Sequence, residues 1–286
     1  MKDIKNILIP VIFKHRIGIK QGKNSEVFLA EEINIKREIV IKKIDKNHLK
    51  NGYFEEARYL YQSKHPNIVE MTYAGMSDCT SFIYLAMPYY KNGSLQSKIE
   101  KNKKDLTIRN ILRYSLNFLS GLNNIHKKKL IHLDIKPDNI LLSDNNEAML
   151  SDFGLVSKMF MGNVFSKKSL FIMTIPPENI KIDNGDIVTK SAYGVYSDIY
   201  QVGVTLYALV NLISLDDYAK HKNITTLHDL VELITSGNLY DIKNYKSGVP
   251  LELQKIINKC LTIDPKNRYK TIQSLLNDLG EIDLGD

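Results

Sequence analysis

Cysteine is nearly missing: Cys79 and Cys260 are the only two in 286 residues. That excludes a disulfide-stapled scaffold and a cysteine-rich zinc domain, and it suits two reduced thiols in a reducing compartment. Arginine is scarce as well. Of the 39 basic residues, 33 are lysine, spread along the chain with short runs only at 101–104 and 127–129. The net charge of +7 therefore reads as solvated surface. A nucleic-acid interface would cluster its cations and favour arginine, so no DNA or RNA partner is expected. Long apolar runs are lacking too. The most hydrophobic stretch, 199–215, is broken by Gln201, Thr205, Asn211 and Ser214, and it reads as a buried core helix instead of a membrane span. The short apolar run 7–13 contains Pro10 and no small-residue cleavage site, and Lys2 excludes N-myristoylation. A soluble, cytoplasmic chain with no membrane partner is the expectation. Composition leaves the oligomeric state open.

A globular composition is present, with 43% hydrophobic and 25% charged residues, in a chain long enough to bury roughly three quarters of its unfolded surface. No repeat or low-complexity linker interrupts it. The first third is β-rich, with strands predicted at 15–21, 26–32 and 38–44, separated by turn residues. A helix is expected over about 52–64, ended by His65-Pro66, because the residue before proline is pushed out of the α region. Strands at 69–73 and 82–87 follow. From Ser94 onward helices are predicted at 95–101, 107–127, 196–212, 226–236, 251–260 and 271–279. A strand-rich part followed by a helical part, joined near 88–91, is the organisation these patterns imply.

The chemistry is concentrated in His132-Leu133-Asp134-Ile135-Lys136-Pro137-Asp138-Asn139-Ile140-Leu141-Leu142 and, a few residues on, Ser151-Asp152-Phe153-Gly154. In these motifs the chain resembles the eukaryotic-type (Hanks) Ser/Thr protein kinases, and the resemblance extends over nearly its whole length. It implies an α+β, bilobal protein-kinase-like fold: one kinase domain over 1–286, with an N-terminal antiparallel-sheet lobe (1–87), a hinge (88–91) and a larger helical C-terminal lobe (92–286). It also implies the cofactors ATP and Mg²⁺, bound in the cleft between lobes, and protein substrates phosphorylated on Ser or Thr, with autophosphorylation.

Residue by residue, the resemblance makes Asp134 the base for the acceptor hydroxyl and Lys136 the cation that steadies the transferring phosphoryl group. Asn139 and Asp152 become the Mg²⁺ ligands, hard oxygen donors suited to that ion. Ile39-Val40-Ile41-Lys42 matches the strand that ends in the phosphate-binding lysine. Alternation puts Val40 and Lys42 on one face, leaving Lys43 as an exposed edge lysine. Glu56, nine residues before His65-Pro66, would pair with Lys42. The glycine-rich turn is eroded: around Ile19 and Val27 only Gly22 survives, with Lys20 and Ser25 at the other glycine places. Val27 and Leu141 would cover the adenine from either side. Met87 falls at the gatekeeper position. Pro88 would offer its carbonyl, which proline keeps, and Tyr90 its N–H.

The resemblance further implies a Glu178–Arg268 ion pair, Asp198 bonding to backbone amides of the 132–139 loop, and an apolar column of Leu60, Met71, His132 and Phe153. The pattern departs from the family in three places. Leu133 replaces a frequent arginine that receives an activation-loop phosphate, which implies activity without loop phosphorylation. Phe171 and Thr174 stand where threonine and tyrosine are usual. The connection 181–197 is long. Two other readings remain beside the kinase: a pseudokinase scaffold, and a small-molecule phosphotransferase of kinase-like fold.

Overall fold

The computed structural model describes residues 10–19, 25–46, 54–76, 81–159, 164–165, 172–183, 186–189, 192–224 and 226–285. The chain divides into two compact units, Met1–Lys64 with Val69–Tyr90, and His65–Ile68 with Lys91–Asp286.

The first unit is built on strands β1 (Val11–Ile19), β2 (Ser25–Glu32) and β3 (Arg37–Asp45), helix α1 (Glu55–Gln62), and strands β4 (Tyr73–Met76) and β5 (Phe82–Pro88). The strands form one antiparallel sheet in the order β1-β2-β3-β5-β4. Period-2 alternation along the central strand β3 sorts its side chains between two faces. Ile39 and Ile41 join Ala30 and Ala86 in one core cluster. Ile44 joins Ile83, Leu85 and Ala57 of α1 in the other, against which Met71 packs. Because α1 covers that second face, Lys42 shares a side of the sheet with it.

The second unit contains α2 (Leu95–Lys101) and α3 (Ile108–Lys127), then the short strands β6 (Leu130–Ile131), β7 (Ile140–Leu142), β8 (Ala148–Leu150), β9 (Ser157–Lys158) and β10 (Val164–Phe165). A hairpin of β11 (Ile180–Asp183) and β12 (Asp186–Thr189) and strand β13 (Ala192–Tyr193) follow. Helices α4 (Val195–Asn211), α5 (Leu215–His221), α6 (Leu227–Thr235), α7 (Leu251–Leu261) and α8 (Ile272–Gly280) complete it. Their starts are written locally: Ser94, Thr107, Ser214, Thr226 and Thr271 each cap a helix by accepting an N–H three residues on. At α6 the box is reciprocal, since Asp229 also accepts from the Thr226 N–H.

Helix α4 is buried along most of its length and packs against α3 and α7. At Gly203 the two helices come so close that a Cβ would lie 2.7 Å from Cβ of Cys260. Cys260 is a free, buried thiol whose pKa is pushed up to about 12 by burial. It is packing, with no thiolate chemistry. Cys79 lies outside the described residues. Among the described residues no single helix is long and apolar enough to cross a membrane.

Four expectations change. The strand predicted at 69–73 is observed at Tyr73–Met76. The apolar pair Ile68-Val69 that suggested it is buried by packing, and Ile68 makes only an isolated bridge with Leu150. His65–Ile68 accordingly groups with the second unit: Leu150 N donates to Asn67 O at 2.9 Å, and Gly121 of α3 approaches so closely that a Cβ would meet Asn67 O at 2.6 Å. Lys43 is no edge lysine, because β3 is central in the sheet. It donates to Glu26 at 3.1 Å and lies 4.0 Å from the Phe82 ring centroid. Finally, α5 and the β11–β12 hairpin were not foreseen. The long 181–197 connection carries that hairpin.

Candidate active site

Asp134 lies in the loop between β6 and β7, buried. Leu133, just before it, has a left-handed backbone, φ 67°, a conformation that costs a branched L residue about 1–3 kcal/mol and needs outside support. Support comes from α4. Asp198 Oδ1 accepts the Leu133 N–H at 2.8 Å and Oδ2 accepts the His132 N–H at 2.9 Å, while His126 Nε2 lies 2.7 Å from Oδ2. The expected grip of Asp198 on the loop amides is thus observed.

His132 closes the next link. Its imidazole is fully buried, and desolvation holds its pKa below the ordinary 6.5 in spite of nearby carboxylates. A neutral ring is what its contacts need: Nδ1 accepts the Asp134 N–H at 3.3 Å, and Nε2 donates to Ser151 O at 3.1 Å. The ring also meets Phe153 edge-on, centroids 5.3 Å apart. These are the two members of the expected apolar column that belong to this unit. Leu60 and Met71 belong to the first unit, where Leu60 is buried and Met71 packs beside Ala57.

Two side chains of its own loop bond to the Asp134 carboxylate. Lys136 Nζ donates to Oδ1 at 2.8 Å, and Asn139 Nδ2 donates to Oδ2 at 2.7 Å and to Asp134 O at 2.7 Å. Pro137 starts the 3-10 turn that carries Asn139, its fixed φ suiting the first position. The β7–β8 hairpin brings the other carboxylate near. Ile140 pairs with Leu150, so Asn139 immediately precedes one strand while Ser151-Asp152 leaves the other. Ser151 N and Oγ both donate to Asn139 O at 2.9 Å. Asp152 then takes a left-handed conformation, φ 60°, which aspartate tolerates better than most residues.

This arrangement fits a hard divalent cation. Asn139 carries an amide oxygen beside the nitrogen it commits to Asp134, and Asp152 carries a carboxylate at the adjoining hairpin end, the hard donor types such an ion takes. Leu141 lies further along β7, half-buried, paired with Met149 and bridged to Ser94.

In the first unit, Lys42 Nζ donates to Glu56 Oε1 at 2.7 Å, with side chains only 12% and 14% exposed. Cross-strand pairing places Val27 opposite Lys42 and Met87 opposite Val40, so all four side chains share the face covered by α1. Pro88 and Tyr90 end this unit, both half-buried. Ile19 pairs with Glu26 at the end of β1. Gly22, with Lys20, lies outside the described residues.

The remaining expected pair is complete. Arg268 and Glu178 form two parallel bonds of 2.8 Å. Arg268 Nε donates to Thr262 O, and its other two N–H groups to Tyr196 O and Ile263 O. All five guanidinium donors are used, which a buried arginine requires. Reading the sequence singled out Asp198 on α4 and assigned no part to His126 or Gln201. The available signal was a polar residue inside the otherwise apolar run 199–210.

Comparison with known proteins agrees. The family model described as the protein kinase domain matches residues 13–279. Serine/threonine-protein kinase PknD of Protochlamydia amoebophila is 27% identical over 295 residues, covering 92% of this chain and 29% of PknD. Serine/threonine-protein kinase PrkC of Bacillus subtilis is 26% identical, covering 90% and 38%. A Dictyostelium discoideum protein named "Probable myosin light chain kinase" is 31% identical over 261 residues, covering 90% of this chain and 79% of its own. The chain thus spans about a third of the length of PknD and PrkC and most of the third relative. A match across 13–279 takes in both Lys42 and Asp134, and the chain belongs to the protein kinase domain family.

Proposed function

We propose that the chain is an ATP-dependent Ser/Thr protein kinase that moves the γ-phosphoryl group of ATP to Ser or Thr hydroxyls of protein substrates, itself included. The observation that carries this reading is the Asp134 carboxylate, buried and aimed by Lys136 and Asn139. Such a carboxylate accepts the proton of an incoming hydroxyl as the oxygen bonds to phosphorus. Lys136 lies on the same carboxylate, so its ammonium can face a phosphoryl oxygen while it holds Asp134. Lys136 two residues after Asp134 is the Ser/Thr pattern. Mg²⁺, held by Asn139 and Asp152, would neutralise phosphate charge. Lys42, fixed by Glu56, is assigned to the α- and β-phosphates. Val27, Val40, Met87 and Leu141 are assigned to the adenine, Pro88 O and Tyr90 N to its polar edge, and Ile19 and Gly22 to the turn above the phosphates.

The test is incubation with labelled ATP and Mg²⁺, offering a generic protein in one arm and a small alcohol in the other. Label on protein Ser or Thr is expected. Asp134→Asn should lower turnover by roughly 10²–10⁴ with ATP affinity nearly unchanged, while Asp152→Asn should weaken Mg²⁺-dependent nucleotide binding as well. Label confined to the alcohol would make the chain a small-molecule phosphotransferase. Nucleotide binding without transfer would make it a scaffold.

A further inference from the structure

We infer that Gln201 is a positioning residue for Asp134. The inference rests on the role proposed for Asp134 above. Two peptide groups carry the Asp134 Cα: one ends in Leu133 C=O and Asp134 N–H, the other in Asp134 C=O and Ile135 N–H. One side chain grips both. Gln201 Nε2 donates to Leu133 O at 3.0 Å, and Gln201 Oε1 accepts the Ile135 N–H at 3.0 Å. The two inner atoms go to His132 Nδ1 and Asn139 Nδ2. Four hydrogen bonds thus hold the two planes from which the carboxylate projects, and a single carboxamide makes two of them.

The placement follows from helix geometry. Asp198, Gln201 and Thr205 are spaced by three and four, so they line one face of α4. Thr205 Oγ1 reaches Ile135 O at 3.4 Å, so that face tracks the loop from His132 to Ile135. Gln201 and Thr205, which break the apolar run of the sequence, are both fully buried. Burying a carboxamide in a helix buried along most of its length is costly unless its polar atoms are bonded, and an apolar residue would fill the space more cheaply. With Leu133 in a left-handed conformation, the peptide groups beside Asp134 run out of line with any strand, and a side chain of matching length completes them.

The test compares Gln201→Met, which keeps side-chain volume, with Gln201→Ala, which does not. Activity is counted per nucleotide-binding site, titrated with a fluorescent ADP analogue, so that misfolded protein is left out. The expected result is a kcat about tenfold lower in both variants (about 1.4 kcal/mol of barrier), with KM for ATP within about twofold of wild type. Melting should fall further for Ala than for Met, while the kcat loss stays equal. A kcat per site within twofold of wild type in both variants overturns the inference, and so does a loss that tracks the melting temperature. An inactive wild type would overturn the kinase reading and this inference together. An active wild type with unaffected Gln201 variants overturns the inference alone.

Discussion

The Lys42–Glu56 pair of the first unit and the Asp134 loop of the second unit are held by different means. Lys42 and Glu56 meet in a 2.7 Å contact between side chains of a strand and a helix, and α1 has no side-chain hydrogen bond at its N-cap. Asp134 is held through its backbone on both sides, by groups from α4, from His132 and from its own turn. An ion pair between side chains depends on the placement of both elements, whereas a buried loop bonded at several backbone groups is fixed by many partners at once. The comparison teaches that side-chain pairing places the charge in the first unit, whereas backbone hydrogen bonds place it in the second.

The sharpest way to break that contrast is at the acid residues. Asp134→Asn, with its expected 10²–10⁴ loss of turnover, should far exceed Glu56→Gln, for which about a tenfold loss is expected because Lys42 keeps its charge and its strand. Steady-state kinetics on one protein substrate decide it, and equal losses would erase the distinction. Next comes rigidity in the second unit. Arg268→Ala leaves Glu178 and several carbonyls without their cation, a change that costs about 3–5 kcal/mol for a buried pair and lowers melting by on the order of 10 °C. Thermal denaturation with and without nucleotide measures it.

A smaller effect concerns acid. His132 has its pKa lowered by burial from the ordinary 6.5, so the unfolded chain takes up a proton that the folded chain refuses. Stability should therefore be insensitive to this group above about pH 7 and fall as pH drops below 6.5, by at most about 1.4 kcal/mol per pH unit. His65, its pKa also lowered by burial, adds in the same direction. Urea denaturation at pH 7 and pH 5 should show the loss, and a His132→Leu variant a shallower slope.

The smallest expected effect is that of loop phosphorylation. Leu133 sits in an apolar cluster with Ile131, Leu155 and Tyr193, against which Met159 and Val195 pack. This surrounding receives side chains and would reject a phosphate. Of the hydroxyls between Gly154 and Pro176, Thr174 is fully buried and Ser157 donates to Leu155 O. Phosphatase-treated protein, and a variant with alanine at Ser157, Ser166, Ser169 and Thr174, should keep turnover within about twofold. A tenfold fall that rephosphorylation restores would assign a receiver to a nearby lysine.

Several features were legible because they are local. Helix starts were legible to within a residue at α2, α3, α6 and α8, each of which a Ser or Thr caps. Alternation along 39–42 placed Lys42 opposite Lys43. Proline at 66 marked where a helix stopped. What misled was equally local: Ile68-Val69 looks like a strand because burial and strand pairing select the same residues. Helix α5 opens at Ser214, whose hydroxyl accepts the Asp217 N–H, a cap signal present in the sequence.

By itself the sequence determined the strand-rich first part and helix-rich second part, the kinase motifs and the residues that bear charge at the site, because dihedral preference, periodicity and motif spacing act over a few neighbours. Only the tertiary structure decided which of them hold one another. That Asp198 and Gln201 reach back 66 and 68 residues to His132 and Leu133, that Arg268 spends all five donors, and that the His132 pKa is lowered follow from burial. In a dry interior every polar group must find a partner, and the partner is chosen by packing, whatever its distance along the chain.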